Sequence, residues 1–408
     1  MEDLFAKDLE ALCERSLDRH LREITGAQGP VVATGGRCLI NFSSNDYLGL
    51  ANDSRLRDAA TAAIEEFGVG AGASRLISGN LSPHLRLECA LAKWKGTEAT
   101  LCFSSGYAAA LGTIPALVGK NDIIVLDKLC HASLIDGARL SGAVLRVFPH
   151  NHVRKLESHL EWALREHPGK RVLIITESVF SMDGDRAPLR ELVELKKRFR
   201  ALLMLDEAHA IGVIGLNGCG LAAAENVSEE VDVQMGTLSK ALGASGGYIC
   251  GSRVLIDWLI NRARSFIYST APPPAVTAAA LAAVDFLSSS EGEKRRLLLW
   301  ERIELMRELL LSLGVESWAL SVGRSGTAKK RPTPKEASSA IFPLIVGDEQ
   351  AALNLASALQ DEGLLVSAIR YPTVAKGAAR LRITVTASHH EDQIRRLCEA
   401  IKKMTKSE

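Results

Sequence analysis

The sequence predicts an α/β fold, a doubly wound and mainly parallel sheet followed by a smaller α+β domain. Three observations carry this. From about residue 55, helical stretches alternate with short apolar runs, the pattern of strands joined by helices. Those runs are apolar throughout, as in strands covered on both faces. Beyond residue 339 the order changes to strand, helix, strand, strand, helix. A chain of 408 residues is also too long for one ordinary core. We therefore divide it into an N-terminal helix and arm (1–50), a large domain (51–285) and a small C-terminal domain (286–408).

Residues 3–24 read as a helix, with Leu4, Leu9, Leu12 and Leu21 as a broken apolar stripe. A strand over Leu39–Phe42 and a turn-rich loop, Ser43 to Gly49, follow. Helices are expected at Leu56–Phe67, Pro83–Trp94, Ala108–Leu117, Val153–Arg165 and Leu189–Arg198. Between and after them come strands Thr100–Phe103, Ile123–Asp127, Val144–Phe148, Val172–Thr176, Leu202–Asp206, Val231–Met235 and Tyr248–Cys250. Pro272-Pro-Pro274 opens a helical region reaching about Leu313, since proline is tolerated at a helix start. Residues 323–339 are polar, basic and proline-containing, and read as an exposed loop. Strand Ala340–Val346, helix Glu349–Glu362, strands Leu364–Ile369 and Arg380–Thr386, and a helix from His390 complete the chain.

Composition narrows the function. A net charge of +1 gives no field to draw nucleic acid or a membrane surface. The eight cysteines are scattered without a Cys-x-x-Cys, which argues against a zinc ribbon or disulfide framework and favours the reducing cytoplasm. The start, Met1-Glu-Asp-Leu-Phe-Ala-Lys-Asp8, lacks the apolar core of a signal peptide. No metal-ligand cluster is evident. Gly68-Val-Gly-Ala-Gly72 follows a helix rather than a strand, so it fails the context test for a dinucleotide loop.

Two segments carry chemistry. Lys240 lies in Thr237-Leu-Ser-Lys-Ala-Leu-Gly243, just after a strand and before Gly243-Ala-Ser-Gly-Gly247. Asp206 ends Leu202-Leu-Met-Leu-Asp206 and opens Asp206-Glu-Ala-His209. A loop lysine and a strand-end Asp-x-x-His are what a pyridoxal phosphate site requires. The lysine amine condenses with the aldehyde, and the carboxylate holds the pyridine nitrogen protonated. Asp-x-x-His is also half a metal site, but no second ligand cluster accompanies it. His209 would share the crevice and reach the cofactor's phenolic oxygen. His131 follows the strand ending at Asp127, and its imidazole could stack on a flat ring. Ser104-Ser105-Gly106-Tyr107, between a strand and a helix, is a phosphate cup, a plain N-cap or both. Ser239 and Thr237 could add hydroxyl contacts. Arg370, Thr373, Arg380 and Arg382 crowd the small domain, where arginine forks suit carboxylates. Arg380 and Arg382 share one strand face.

These segments resemble the α-oxoamine synthases, a group of fold-type I pyridoxal phosphate enzymes. The likeness runs over nearly the whole chain. It is carried by Asn41-Phe-Ser-Ser-Asn-Asp-Tyr-Leu-Gly-Leu50, Glu177-Ser-Val-Phe-Ser-Met-Asp-Gly-Asp185, Asp206-Glu-Ala-His-Ala-Ile-Gly-Val-Ile-Gly215 and Thr237 to Gly243. The group condenses an amino acid with an acyl thioester and releases carbon dioxide. Ala368-Ile-Arg-Tyr-Pro-Thr-Val374, with Phe266 to Thr270 and Pro343 to Asp348, is similar to members that join L-alanine to a pimeloyl thioester of coenzyme A or a carrier protein. Those members carry Arg-Pro-Pro-Thr where this chain has Arg370-Tyr-Pro-Thr373.

The resemblance implies roles residue by residue. Lys240 would bear the cofactor, Asp206 pair with the ring nitrogen and His131 stack on the ring. His209 and Ser181 would contact the ring's polar groups. Ser105, Gly106, Tyr107, Thr237 and Ser239 would line the phosphate cup. A homodimer is implied, with Ser269 or Thr270 reaching the partner subunit's phosphate. Arg382 would clamp the amino acid carboxylate, and Asn45 and His131 would also bind substrate. Arg19 (or Arg22), Arg370 and Thr373 would meet the acyl substrate. The nearest rivals are sister enzymes that use glycine with a short acyl thioester. A non-catalytic scaffold of the same fold is the distant one, and it would have no need of Lys240.

Overall fold

The computed structural model describes residues 2–313 and 339–406. All of the basic 323–339 stretch except Ser339 lies outside the described residues. In chain order the elements begin with α1 (Glu2–Glu14), β1 (Val31–Thr34), β2 (Arg37–Asn41), α2 (Ser54–Phe67), α3 (Ser82–Lys95) and β3 (Ala99–Phe103). Then come α4 (Gly106–Leu117), β4 (Ile123–Asp127), α5 (Ala132–Ser141), β5 (Val144–Phe148), α6 (Val153–Glu166), β6 (Val172–Glu177), α7 (Leu189–Phe199) and β7 (Leu202–Asp206). Next are α8 (Leu221–Ala224), β8 (Val233–Thr237), β9 (Gly247–Gly251), α9 (Arg253–Arg262), α10 (Arg264–Ile267), α11 (Pro274–Leu287) and α12 (Ser290–Ser312). The last are β10 (Ile341–Gly347), α13 (Glu349–Asp361), β11 (Leu364–Leu365), β12 (Ser367–Ile369), β13 (Ala379–Thr384) and α14 (Glu391–Lys406).

The chain forms two units, Leu50–Ser181 with Asp185–Arg296, and Met1–Gly49 with Met182–Gly184 and Leu297–Glu408. The first holds a seven-stranded sheet in the order β3-β9-β8-β7-β6-β4-β5. β5, β4, β6, β7 and β8 run parallel, and β9 is antiparallel to both of its neighbours. The doubly wound, mainly parallel α/β sheet is therefore present. Its core is continuous, with Leu126, Ile175, Met204, Met235 and Ile249 all nearly inaccessible. The strands are not uniformly covered, however. β5 is an edge strand whose Arg146 and Val147 are exposed. There Arg146 lies over the Trp162 ring at 4.0 Å, a charged partner suited to an open edge.

Several boundaries moved for visible reasons. The expected helix over 3–24 ends at Glu14, because Ser16 takes a left-handed backbone (φ 55°) and Leu17 folds back to bond the Leu12 carbonyl. Of the expected stripe, Leu9, Leu12 and Leu21 are exposed. The region from Pro272 to Leu313 is two helices. Ser289 breaks it, giving its hydroxyl to the Phe286 carbonyl and accepting the Gly292 N–H. β1 pairs with β2 through Gly35-Gly36, both at positive φ, a hairpin turn that glycine favours.

In the second unit the expected strand Leu364–Ile369 serves two sheets. β11 adds parallel to β2, and β12 adds antiparallel to β13, with buried Val366 between them. β13 is the centre of the order β10-β13-β12, and all six of its residues are buried.

A buried ion pair locks the segment behind β7. Lys95, at the end of α3, meets Glu207 with side chains 1% and 0% exposed. Lys95 also donates to the Cys219 carbonyl, and Glu207 accepts the Ala222 N–H at 3.0 Å. Lys95→Met would leave Glu207 charged and dry, so we expect it to lower unfolding free energy by about 3–5 kcal/mol in denaturant titration. Adding Glu207→Leu to that variant should recover part of the loss; a single variant as stable as wild type would show the pair to be dispensable.

Candidate active site

Four strands of the first unit end side by side. In the parallel register, Glu177 at the end of β6 stands opposite Asp206 at the end of β7. Both are buried, at 2% and 5% exposure. Asp206 accepts the Ala208 N–H at 2.9 Å. Glu177 accepts two backbone N–H groups, from His131 and from Ser181 (3.3 Å). Burial pushes the Glu177 carboxyl up to about 8, and the neighbouring Asp206 charge adds to the shift. Burial also raises Asp206, against the pull of Lys240. Two dry carboxyls so close together favour a bound cation or a shared proton.

Lys240 follows β8 in a tight turn. Leu238 N–H bonds the Gly246 carbonyl at 3.0 Å and Gly243 N–H the Lys240 carbonyl at 2.9 Å. Gly243 is at φ 64°, and a Cβ there would stand 2.5 Å from the Ala51 nitrogen, so the turn demands glycine. The Lys240 amine lies 2.9 Å from His209 Nε2, three residues beyond Asp206. His131 caps α5, its Nδ1 tied to the Ser133 hydroxyl at 2.9 Å. Desolvation lowers its imidazole, as does the Lys240 cation, while Asp206 works the other way. Lys240, His209, Asp206, His131 and Ser181 are thus joined by direct bonds, strand register or mutual charge.

The segment expected to hold a phosphate is a helix N-terminus with a hydroxyl flank. Ser105 caps α4, accepting the Ala108 N–H at 3.0 Å, so the N-cap reading holds for its side chain. A Cβ on Gly106 would lie 3.9 Å from the Thr237 hydroxyl, and one on Gly247 would lie 2.5 Å from the Gly106 nitrogen. Only glycine at 247 leaves that amide open. Thr237 donates to the Gly246 carbonyl at 3.0 Å and shares a 2.7 Å hydroxyl contact with Ser239. Tyr107 is 45% exposed and donates its hydroxyl to Asp136 at 2.6 Å. Ser269 and Thr270 follow α10; Thr270 pairs with Ser74, and neighbouring Ala271 donates to the Ala73 carbonyl.

A cofactor with an aldehyde, a flat basic ring and a phosphate fits these residues. The cup would hold the phosphate, Lys240 the aldehyde and Asp206 the ring nitrogen. Among the described residues, no group of three or more His, Cys, Asp or Glu is arranged to hold a metal.

The second unit places the remaining candidates in two clusters. Arg382, buried on β13, donates to Asn45 Oδ1 at 3.0 Å and lies 3.5 Å from the Tyr47 hydroxyl. Burial raises Tyr47, and the Arg382 charge opposes that. Arg380, on the same strand face, pairs with Asp183 at 3.2 Å. In the other cluster Arg370 donates to the Ser16 and Asp18 carbonyls, and Arg19 donates back to the Tyr371 carbonyl at 3.2 Å. Thr373 N–H bonds the Arg370 carbonyl, whereas Arg22 turns to Gln360. Sequence reasoning gave Glu177 no role, although a glutamate ending the apolar run Val172–Thr176 was itself a signal.

Comparison with known proteins decides the family. The family described as aminotransferase class I and II matches residues 37–401. An 8-amino-7-oxononanoate synthase of Anaeromyxobacter dehalogenans is 47% identical over 392 residues, 96% of this chain and 93% of that protein. One of Geobacter sulfurreducens is 44% identical, covering 98% and 97%. The chain belongs to the 8-amino-7-oxononanoate synthase family. Among solved structures it is similar to that synthase from Francisella tularensis, with TM-score 0.74 and 29% identity over 90% of this chain and 98% of that one. It also resembles serine palmitoyltransferase from S. paucimobilis, solved with bound PLP, with TM-score 0.89 and 29% identity over 100% and 98%.

For a synthase of this family, Gly247→Ala tests the cup. The new methyl must displace the start of α4, at a cost of about 1–3 kcal/mol in stability. Pyridoxal phosphate uptake, followed by its visible absorbance, should fall with it; unchanged uptake would remove the cup from the site.

Proposed function

We propose that this chain is a pyridoxal phosphate-dependent acyltransferase that joins L-alanine to a pimeloyl thioester. The products are 8-amino-7-oxononanoate, carbon dioxide and the free thiol, and the role is a step of biotin biosynthesis in the cytoplasm. The observation that carries this is the Lys240–His209 contact beside buried Asp206, in a chain whose relatives at 42–47% identity are such synthases.

Bound pyridoxal phosphate supplies an electron sink for the carbanion formed at the substrate Cα. Lys240 would tether it, and its amine, when not so engaged, would be placed to take the proton from the substrate Cα. His209 Nε2 holds the amine in position at 2.9 Å. Asp206 would favour a protonated ring nitrogen, and such a charge pair is worth roughly 4 kcal/mol at contact in an effective dielectric of about 20. His131, whose imidazole is lowered by burial, would offer a flat face to the ring. Ser105, Gly106, Tyr107, Thr237 and Ser239 would hold the phosphate, and Ser181 would meet a polar group of the ring. Arg382, steadied by Asn45 and Tyr47, takes the alanine carboxylate.

Assembly as a homodimer is part of the proposal. Val69, Leu76, Ile77, Leu85 and Tyr268 are exposed apolar side chains. Their segments are tied together by the Ser74–Thr270 bridge and by His84, which contacts the Pro272 carbonyl. An apolar surface of this kind favours a partner, and Ser269 or Thr270 would then reach the partner's phosphate.

Thiol release and carbon dioxide decide the activity. We expect turnover with L-alanine plus pimeloyl-CoA or pimeloyl-carrier protein. Turnover only with glycine and acetyl- or succinyl-CoA, or only with L-serine and palmitoyl-CoA, would move the chain to a sister activity. No turnover with any pair, in protein that has bound cofactor, would favour the scaffold reading.

The distal carboxylate of the pimeloyl chain needs a cation, and we assign it to the Arg19–Arg370 cluster with Thr373. Arg19→Gln should raise KM for the pimeloyl thioester about tenfold to a hundredfold, the worth of one charge-assisted hydrogen bond. KM for octanoyl-CoA, which lacks that carboxylate, should hardly move. Equal effects on both would overturn the assignment.

A further inference from the structure

Outside the reacting groups, one charged array joins the two segments that carry His131 and Ser181. Asp127 ends β4 and is fully buried. Its Oδ1 accepts the Leu129 N–H at 2.8 Å, shaping the turn that leads to His131, and its Oδ2 accepts the Asn151 N–H at 2.8 Å. His150 spans from this carboxylate to another. Its Nδ1 lies 3.1 Å from Asp127 Oδ1 and its Nε2 lies 2.8 Å from Asp185 Oδ2. The Asp185 carbonyl accepts the Phe180 N–H at 3.0 Å, immediately before Ser181, and the Phe180 ring meets the imidazole edge-on at 4.3 Å. Asn151 adds a bond to the Arg186 carbonyl at 3.0 Å. Among the described residues Asp185 Oδ1 has no hydrogen-bond partner, while Oδ2 pairs with His150 and accepts from Asn151 Nδ2 at 3.4 Å.

We propose that His150 is a positioning residue: as a strut between Asp127 and Asp185 it sets the separation of His131 and Ser181, the slot for a flat ring. The inference rests on the cofactor reading above. Glu177 ties the two segments together through the His131 and Ser181 amides, and His150 ties them a second time through Asp127 and Asp185. With a carboxylate at each nitrogen, both ring nitrogens donate and the imidazole is cationic. Burial alone would lower it, but the bonds to Asp127 and Asp185 outweigh burial and push it up to about 9. Those two are the titratable groups facing the ring; Phe180 and Asn151 are its uncharged neighbours.

The sign of the pH effect follows. The folded value lies above the ordinary imidazole value of about 6.5, so the strut's stabilisation is complete below about 6.5 and is lost as pH rises through about 9.

The test compares wild type, His150→Gln and Asp185→Asn as full-length holoenzyme and after cofactor removal. The slot is expected to slacken, raising the pyridoxal phosphate dissociation constant by about tenfold or more, as misplacement at a site does. In fully loaded enzyme kcat should fall while KM for L-alanine stays within about threefold, because Arg382 is untouched. The melting-temperature gap between cofactor-free wild type and His150→Gln should shrink from pH 6 to pH 10. If His150→Gln does not fold, Asp185→Asn, which keeps the side-chain shape, must show the same affinity loss. Lowered melting temperature with unchanged affinity and kcat would make His150 merely structural and overturn the proposal alone. Wild-type protein that captures no pyridoxal phosphate would overturn it together with the cofactor reading.

Discussion

Two buried carboxyls at the ends of adjacent parallel strands constrain everything around them. Glu177 and Asp206 are brought together by register, and both are buried. Their surroundings answer that demand. Backbone amides of His131, Ser181 and Ala208 point at them, and the Lys240 cation lowers both. The same amides belong to the residues that frame the site, so satisfying the carboxylates also places His131 and Ser181. A second buried pair, Lys95 with Glu207, holds the chain just beyond Asp206 through bonds to Cys219 and Ala222. Charge satisfaction, more than apolar packing, fixes the geometry at this end of the sheet.

Much of the first unit was legible in the sequence because its strands are short, apolar and well separated. Ile123–Asp127, Val144–Phe148 and Leu202–Asp206 fall where the runs predict. Lys240, Asp206 and His209 stood out by residue type and by position after strands. What the sequence hid was pairing. Nothing in the isolated run Val172–Thr176 says that the next residue will face Asp206, and nothing near His150 names Asp127 and Asp185 as its partners. The covered character expected of Val144–Phe148 failed because coverage depends on place in the sheet, and β5 lies at its edge.

In the second unit the errors are equally physical. A leucine spacing that suits a helix over residues 3–24 does not form one past Glu14: Ser16 turns left-handed, and beyond it the Ser16 and Asp18 carbonyls are held by Arg370. That bond spans hundreds of residues and has no local signature. The Gly35-Gly36 hairpin has a local signal, two glycines with short runs on either side, although β1 is only four residues long. The arginines of the small domain were seen as a crowd; the structure sorts them by partner, with Arg382 on Asn45, Arg380 on Asp183 and Arg370 on backbone carbonyls.

The run from Leu364 to Ile369 leaves one sheet and enters another with Val366 as its sole hinge residue. Each half alternates its side chains against a different set of neighbours. A residue gained or lost at Val366 would keep one half in register and turn the other half over, exchanging its inner and outer faces. This stretch therefore tolerates substitution far better than a change in length, and natural variation in the small domain should place its insertions elsewhere.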